Sequence, residues 1–294
     1  MVSPFGKLSR TRGWLYVVPA LAFVLVFLFY PVIHNFTASV STDTGTGFGN
    51  FLTLFHDPVF GMAIRNSLLW VITTTAVQMF FGFVIAYLLD GYMRRLGGVL
   101  RTVLFLPMAV TPTVIAIVFG NIYAPQYGLL YGIFKGLGIS NHFPSILGNT
   151  STATFAVMVV NVWQWVGFYV LMYSVGLSAL DSDVLAAADV DGATGWGRIR
   201  LIVLPMLRSS HWSLMILGSI QALQQFPLIY LMTSGGPANS TQVLATYIFQ
   251  KGFEENKMSY ASAISVVLLL LALLLAGIQL LFSRGDFSIG AGKS

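Results

Sequence analysis

Charged residues are scarce in this chain. Of its 294 residues only 9% are Asp, Glu, Lys or Arg, while 56% are hydrophobic. A soluble domain carries about 25% charged residues, so this composition excludes a water-covered surface and implies a polytopic membrane protein with lipid as its solvent. Cysteine is absent, which excludes disulfides, thiolate zinc sites and a cysteine nucleophile. The four histidines, His34, His56, His142 and His211, show no i,i+4 pairing, so no metal site is expected. There is no GxSxG, no HExxH and no pair of carboxylates in an apolar run. The chain therefore reads as a non-enzyme without a cofactor of its own. Its closing GAGKS imitates the end of a phosphate-binding P-loop, but the first glycine of that motif falls on Phe287. Any ATP and Mg must be held by another chain.

What the sequence does have is long apolar runs. A helix needs about 20 predominantly apolar residues to cross a bilayer, and six segments qualify: 14–33, 67–89, 102–123, 156–177, 212–232 and 261–282. None contains Asp, Glu, Lys or Arg. Backbone groups in lipid must pair within their own segment, so the expected fold is all-α with six transmembrane helices. The first run lacks a small-residue cleavage site and reads as a retained span. Residues 1–13 and 283–294 are then terminal segments on one side. Eleven of the 15 basic residues fall on that side (Lys7, Arg10, Arg12, Arg94, Arg95, Arg101, Arg198, Arg200, Arg208, Arg284, Lys293), against Arg65, Lys135, Lys251 and Lys257 on the other. This split places both termini in the cytoplasm and accounts for the net charge of +5 without nucleic acid.

One cytoplasmic loop, 181–205, is too polar to span and too patterned to be a linker. Asp181 or Ser182 can cap a helix start, VLAAADV continues it, and Gly192 supplies a C-terminal stop. A Thr-Gly-Trp-Gly turn and a second helix through Arg198–Val203 lead to Pro205. The result is a short helix across the cytoplasmic face with one side nearly all alanine. It can dock a partner, or rest as an amphipathic connector on the headgroups.

The stretch Ala186-Ala187-Ala188-Asp189-Val190-Asp191-Gly192-Ala193, followed by Ile202-Val203-Leu204-Pro205, resembles the "EAA" loop of ABC-importer permeases. Ala186 stands where that family has Glu. The resemblance implies the type I ABC-importer permease fold in a prokaryotic plasma (inner) membrane. It implies a coupling helix in which Leu185, Ala186, Ala187, Ala188, Asp191, Gly192 and Ala193 meet a cytoplasmic ATPase. It also implies the partners: a second six-span permease in a pseudo-twofold heterodimer, two ATPase copies and an external solute-binding protein.

A second stretch, Leu231-Met232-Thr233-Ser234-Gly235-Gly236-Pro237 with Asn239, Ser240, Thr241 and Tyr247-Ile248-Phe249, looks like the loop after the fifth span in permeases of the maltose and glycerol-phosphate type. Phe29-Tyr30-Pro31, Phe48-Gly49-Asn50-Phe51 and Asn66-Ser67 extend that resemblance towards the N-terminus. It implies sugar transport, with an oligosaccharide or glycoside as substrate.

Spans four and five hold the polar side chains. Asn161, Trp163, Gln164, Trp165 and Phe168 lie on the fourth, and Gln221, Gln224 and Gln225 on the fifth, one helical face by their i,i+3 and i,i+4 spacing. Amides are costly to expose to lipid and should face the protein interior. They read either as interhelical hydrogen bonds or as a sugar-lined path, in which amides serve hydroxyls and aromatic faces serve C–H surfaces. The resemblance implies the latter, through Asn161 and Trp163. Met108, Thr111 and Thr113, beside Pro107 and Pro112, are weaker candidates. The spans hold no acid, base or buried histidine of the kind that proton- or sodium-coupled carriers use. That favours a partner ATPase over an ATP-independent carrier. An importer of another solute, such as glycerol phosphate, stays open at this point.

Overall fold

The structure, a computed structural model, describes residues 10–42, 45–91, 93–138 and 145–290. Lys7, Lys293 and His142, named above, lie outside the described residues. Contacts divide the chain into two units: Met1–His56 with Ile248–Val267, and Asp57–Tyr247 with Leu268–Ser294.

In the first unit, α1 (Arg10–Val24) runs through a π turn, Leu25–Phe29, into α2 (Tyr30–Ser39). The π turn is explained by Pro31. Proline cannot donate to the preceding turn and its ring crowds that carbonyl, so the helix widens and Tyr30 N–H bonds back to Leu25 O. Residues from Val17 to Ser39 are apolar and almost wholly exposed, as a lipid- or partner-facing helix must be. A two-residue ribbon, Ser41–Thr42 with Gly45–Thr46, turns the chain towards α3 (Gly49–His56). Asn50 Nδ2 steadies this turn by donating to Ser39 O at 3.1 Å and Ser41 O at 2.8 Å. A further π turn, Gln250–Glu254, carries Lys251. Lys251 and Lys257 reach Glu255 at 2.7 and 2.8 Å and hold its carboxyl below the usual carboxylate range.

The second unit is built around α4 (Pro58–Gly91) and α8 (Ala153–Ser178), packed along much of their length. Lipid offers no hydrophobic drive between helices, so close backbone approach at small residues does the work. A Cβ at Gly82 of α4 would come 2.5 Å from Tyr169 Cβ of α8. At Gly167 of α8 it would land on the backbone of Leu104 in α5 (Arg94–Ala109). At Gly176 it would meet Ser210 Oγ at 2.8 Å, in α12 (Arg208–Leu223).

Among the described residues, four helices are long and apolar enough to cross a membrane: Val17–Ser39, Pro58–Gly91, Ala153–Ser178 and Met258–Ser283, the last within α15 (Met258–Gly290). Two bent pairs bring the number to six. The hydropathy pattern reads 102–123 as one unbroken helix. The structure breaks it by 95° between Leu96–Ala109 and α6 (Pro112–Ile122). Pro112 is the cause, since it bars its predecessor from the helical region, and Thr111 sits extended at φ −62°, ψ 142°. A short helix, α7 (Leu129–Gly136), follows.

The run 212–232 is likewise not one helix. After α9 (Ser182–Val190), α10 (Gly195–Arg198), a π turn at Ile199–Val203 and α11 (Leu204–Met206) form one arm. Its π turn again lies just before a proline, Pro205, with Leu204 N–H bonded to Ile199 O. The arm meets α12 (Arg208–Leu223) at 69°. Beyond Leu223 the chain leaves the helix at Gln224–Phe226, and Pro227 starts α13 (Pro227–Thr233), which packs on α6. The short α14 (Leu244–Phe249) precedes the final span.

Candidate functional site

The loop 181–206 folds from its own sequence signals. Asp181 is the N-cap of α9, and its carboxylate accepts from Asp183 N–H at 2.8 Å. At the other end Gly192 is left-handed, φ +76°. Its N–H donates to Asp189 O at 3.2 Å, and Ala193 N–H to Ala188 O at 2.9 Å. These two bonds form a Schellman closure, which glycine makes without strain. The nine-residue helix is thus sealed at both ends.

Its two faces differ. Ala188 is buried and Leu185 packs beside Leu180 on the core formed by Tyr173, Leu177 and Val203. Ala186, Ala187, Asp191 and Gly192 are exposed, and Ala193 is half-buried. Beside them Val190 is 88% exposed, Leu201 73% and Trp196 69%. The alanine pattern points to a partner face, but the apolar weight of that face lies in Val184, Val190, Trp196 and Leu201, which the motif does not single out. Trp196 and Gly197 belong to a helix and not to a turn, because Gly195 takes the left-handed bend at φ +54° and the helix starts there. Asp189 and Arg198 form an ion pair at 2.8 Å across this bend.

The polar side chains of α8 and α12 are not one set. Asn161 is buried, and its Oδ1 accepts from Gln78 Nε2 of α4 at 3.1 Å. Gln78 is buried too, and sequence reasoning passed over it because a lone Gln in a span has no motif. Gln164 is 1% exposed. Its Nε2 donates at 3.3 Å to the carbonyl of Val110, one of the groups freed by the break before Pro112. Its Oε1, like Gln225 Nε2, is buried without a partner among the described residues. Trp163 is 45% exposed and its ring lies 5.1 Å from that of Phe119. Trp165 and Phe168 are half-buried and meet edge to face at 6.5 Å. Gln221, Gln224 and Gln225 do not share a helical face, because the helix ends at Leu223. Gln224 is exposed, Gln221 half-buried and Gln225 buried.

A third feature gathers near the N-terminal ends of α4 and α8. The loop from Thr233 to Gln242 holds left-handed Ser234, Gly235, Ala238 and Asn239 and a cis Gly236–Pro237 bond. Asn66 Nδ2 reaches the carbonyls of Asn239, Ser240 and Gln242 at 3.4, 3.0 and 2.9 Å. Ser67 Oγ accepts from Leu244 N–H, and Thr154 Oγ1 donates to Ser240 O. The Asn-Ser and Gly-Gly-Pro stretches, 170 residues apart in the resemblance, are therefore one structure.

Residues 78–285 match the model of the family described as binding-protein-dependent transport system inner membrane component. The chain is 33% identical over 284 residues to the probable ABC transporter permease protein YurN of Bacillus subtilis, covering 94% of this chain and 97% of that one. It is 30% identical over 290 residues to the lactose transport system permease protein LacF of Rhizobium radiobacter, covering 96% and 97%. Among solved structures, a chain of a bacterial ABC transporter that imports the acidic polysaccharide alginate superposes with a TM-score of 0.84 at 22% identity, over 94% of this chain and 97% of that one. That likeness establishes the fold.

Proposed function

The chain belongs to the binding-protein-dependent transport system inner membrane components, a multi-pass, non-catalytic permease, and from that premise we propose that it is half of the translocation path of an ATP-driven sugar importer. Its partners in this reading are a second permease, two ATPase subunits that hold ATP and Mg, and an external solute-binding protein. The observation that carries the reading is α9. A helix capped at both ends, outside the apolar spans, holds Val190 almost fully in the open. An apolar residue displayed on a rigid frame is what a protein partner buries.

We assign that face to a cleft of the ATPase, on the cytoplasmic side with both termini. ATP-driven closure of the ATPase pair displaces α9, the arm behind it carries the movement into the bent span Arg208–Leu223, and the path turns outward. Hydrolysis returns it inward. The loop pinned by Asn66, on the opposite side, faces the binding protein.

A sugar, an oligosaccharide or glycoside, is supported by the likeness to a lactose permease protein and by the six apolar runs of the sequence, which offer amides and aromatic faces without Lys or Arg. Trp163, Trp165, Phe168, Gln221 and Gln224 keep exposed surface and supply contacts along the path. Asn161, Gln164 and Gln225 lie behind them and hold its wall in shape.

The experiment is uptake into proteoliposomes of the complete transporter, with ATP inside and a panel of labelled neutral and charged solutes outside with the binding protein. ATP-dependent uptake of neutral sugars is the expected result. Uptake of charged solutes alone would remove the sugar assignment, and uptake that persists without ATP would remove the importer.

A further inference from the structure

The docking helix is joined to the rest of its loop by an elbow that contains two left-handed glycines. Between α9 and α10 lie Asp191, Gly192, Ala193 and Thr194, and α10 opens on Gly195. Gly192 and Gly195 are both left-handed, at φ +76° and +54°, and a Cβ at either would meet nothing within 4 Å. Beyond the two Schellman hydrogen bonds, no side-chain packing holds the elbow at its two glycines, and glycine resists rotation least of all residues. The core contacts of α9 itself come down to Leu185 and Ala188. Across this elbow Asp189 Oδ1 meets Arg198 Nη1 at 2.8 Å, with side chains 54% and 30% exposed. Asp189 lies on the last turn of α9, and Arg198 is on the arm that bends by 69° into Arg208–Leu223.

We infer that Asp189 and Arg198 are positioning residues for coupling: their ion pair sets the angle of the elbow, so that displacement of α9 moves the arm and the bent span with it. The inference rests on the docking of α9 proposed above. Without the pair, α9 swings on its two glycines and part of each stroke is lost before it reaches the span. Ala186 leaves no carboxylate one turn earlier on this helix side. Asp189, three residues on, is the acid that faces the arm. The pair is half-exposed, so it adds little to folding, and its effect should appear in coupling and not in assembly.

The test uses the complete transporter in proteoliposomes and reads solute moved per ATP hydrolysed. Asp189→Asn and Arg198→Gln should each lower that ratio about two- to fivefold, the range over which an exposed ion pair shifts an equilibrium. ATP hydrolysis and recovery of the intact complex should continue. The swap of Asp189→Arg with Arg198→Asp should restore most of the ratio. Singles with the wild-type ratio, or a swap no better than the singles, would overturn the inference. To separate this from failure of the docking itself, Val190→Cys is placed in the same chain, which has no other cysteine. A cross-link to the ATPase from a maleimide-linked photoreactive probe on the Val190→Cys thiol, combined with unaffected singles, removes only the clasp. Absence of any such cross-link removes the docking reading and the clasp with it.

Discussion

The segment from Asp181 to Met206 holds Val190, Trp196 and Leu201 out into its surroundings, while the region around Asn161 hides Gln78, Asn161 and Gln164 from theirs. In the first, the backbone is satisfied internally by the Asp181 cap and the Schellman closure, and what remains unspent is apolar surface. In the second the apolar surface faces outward and the amides find partners within the chain, Gln78 with Asn161 and Gln164 with Val110 O. The contrast separates what this chain completes by itself from what it leaves for another molecule. An exposed Val on a capped helix asks for a partner protein. A buried Asn already bonded to its neighbour is part of the wall.

The comparison breaks most severely where the wall is thinnest. Gly167→Val sets a branched side chain against the Leu104 backbone, and overpacking of this kind costs about 1–3 kcal/mol, more where backbone must move. The expected outcome is near-complete loss of the chain from the membrane fraction, read by immunoblot.

Next in size is Gly192→Pro. Proline cannot take φ +76° and removes the N–H that bonds to Asp189 O. The misfit costs about 1–3 kcal/mol of local strain, confined to an exposed elbow. Transport should fall to background with the chain still in the membrane and ATP hydrolysis uncoupled. Wild-type transport would remove the account of this loop. A charge at the centre of an interface costs about 2 kcal/mol or more, so Val190→Glu should reduce ATPase recovered with the chain by about tenfold or more. The same change at exposed Leu270, in the final span, instead disturbs insertion.

The smallest effect sharpens the other side. Gln78→Ala and Asn161→Ala should each weaken the chain's thermal stability in detergent, and the double variant should add almost nothing. The coupling in such a cycle is about 0.6 kcal/mol, at most about 1.7. Full additivity, with altered affinity for sugar in Asn161→Ala alone, would move Asn161 from the wall into the path.

Local signals carried much of this fold. The six apolar runs, the Asp181 cap and the left-handed Gly192 follow from composition and near-neighbour chemistry, and these are legible in one sequence. The bends are less so. Pro112 and Pro227 lie inside runs apolar enough to span, and hydropathy does not register whether a proline kinks a helix or ends it. The glutamines of 221–225 lost their common face for that reason. The pairings of Gln78 with Asn161, Asp189 with Arg198 and Asn66 with the Gly-Gly-Pro loop depend on which helices meet. No spacing within a single element encodes that. The loop's sequence signals marked a short helix after Asp181, yet its exposed apolar residues became visible only once the helix had faces.

The account stands or falls on whether the exposed surface is completed by other chains. The direct measurement is native mass spectrometry of this chain purified from its own membrane in mild detergent. The account predicts an assembly of one copy of this chain, one different six-span permease and two copies of a P-loop ATPase. A lone chain, or a homo-oligomer without an ATPase, would contradict it, and the face of α9 would then be resting on lipid headgroups.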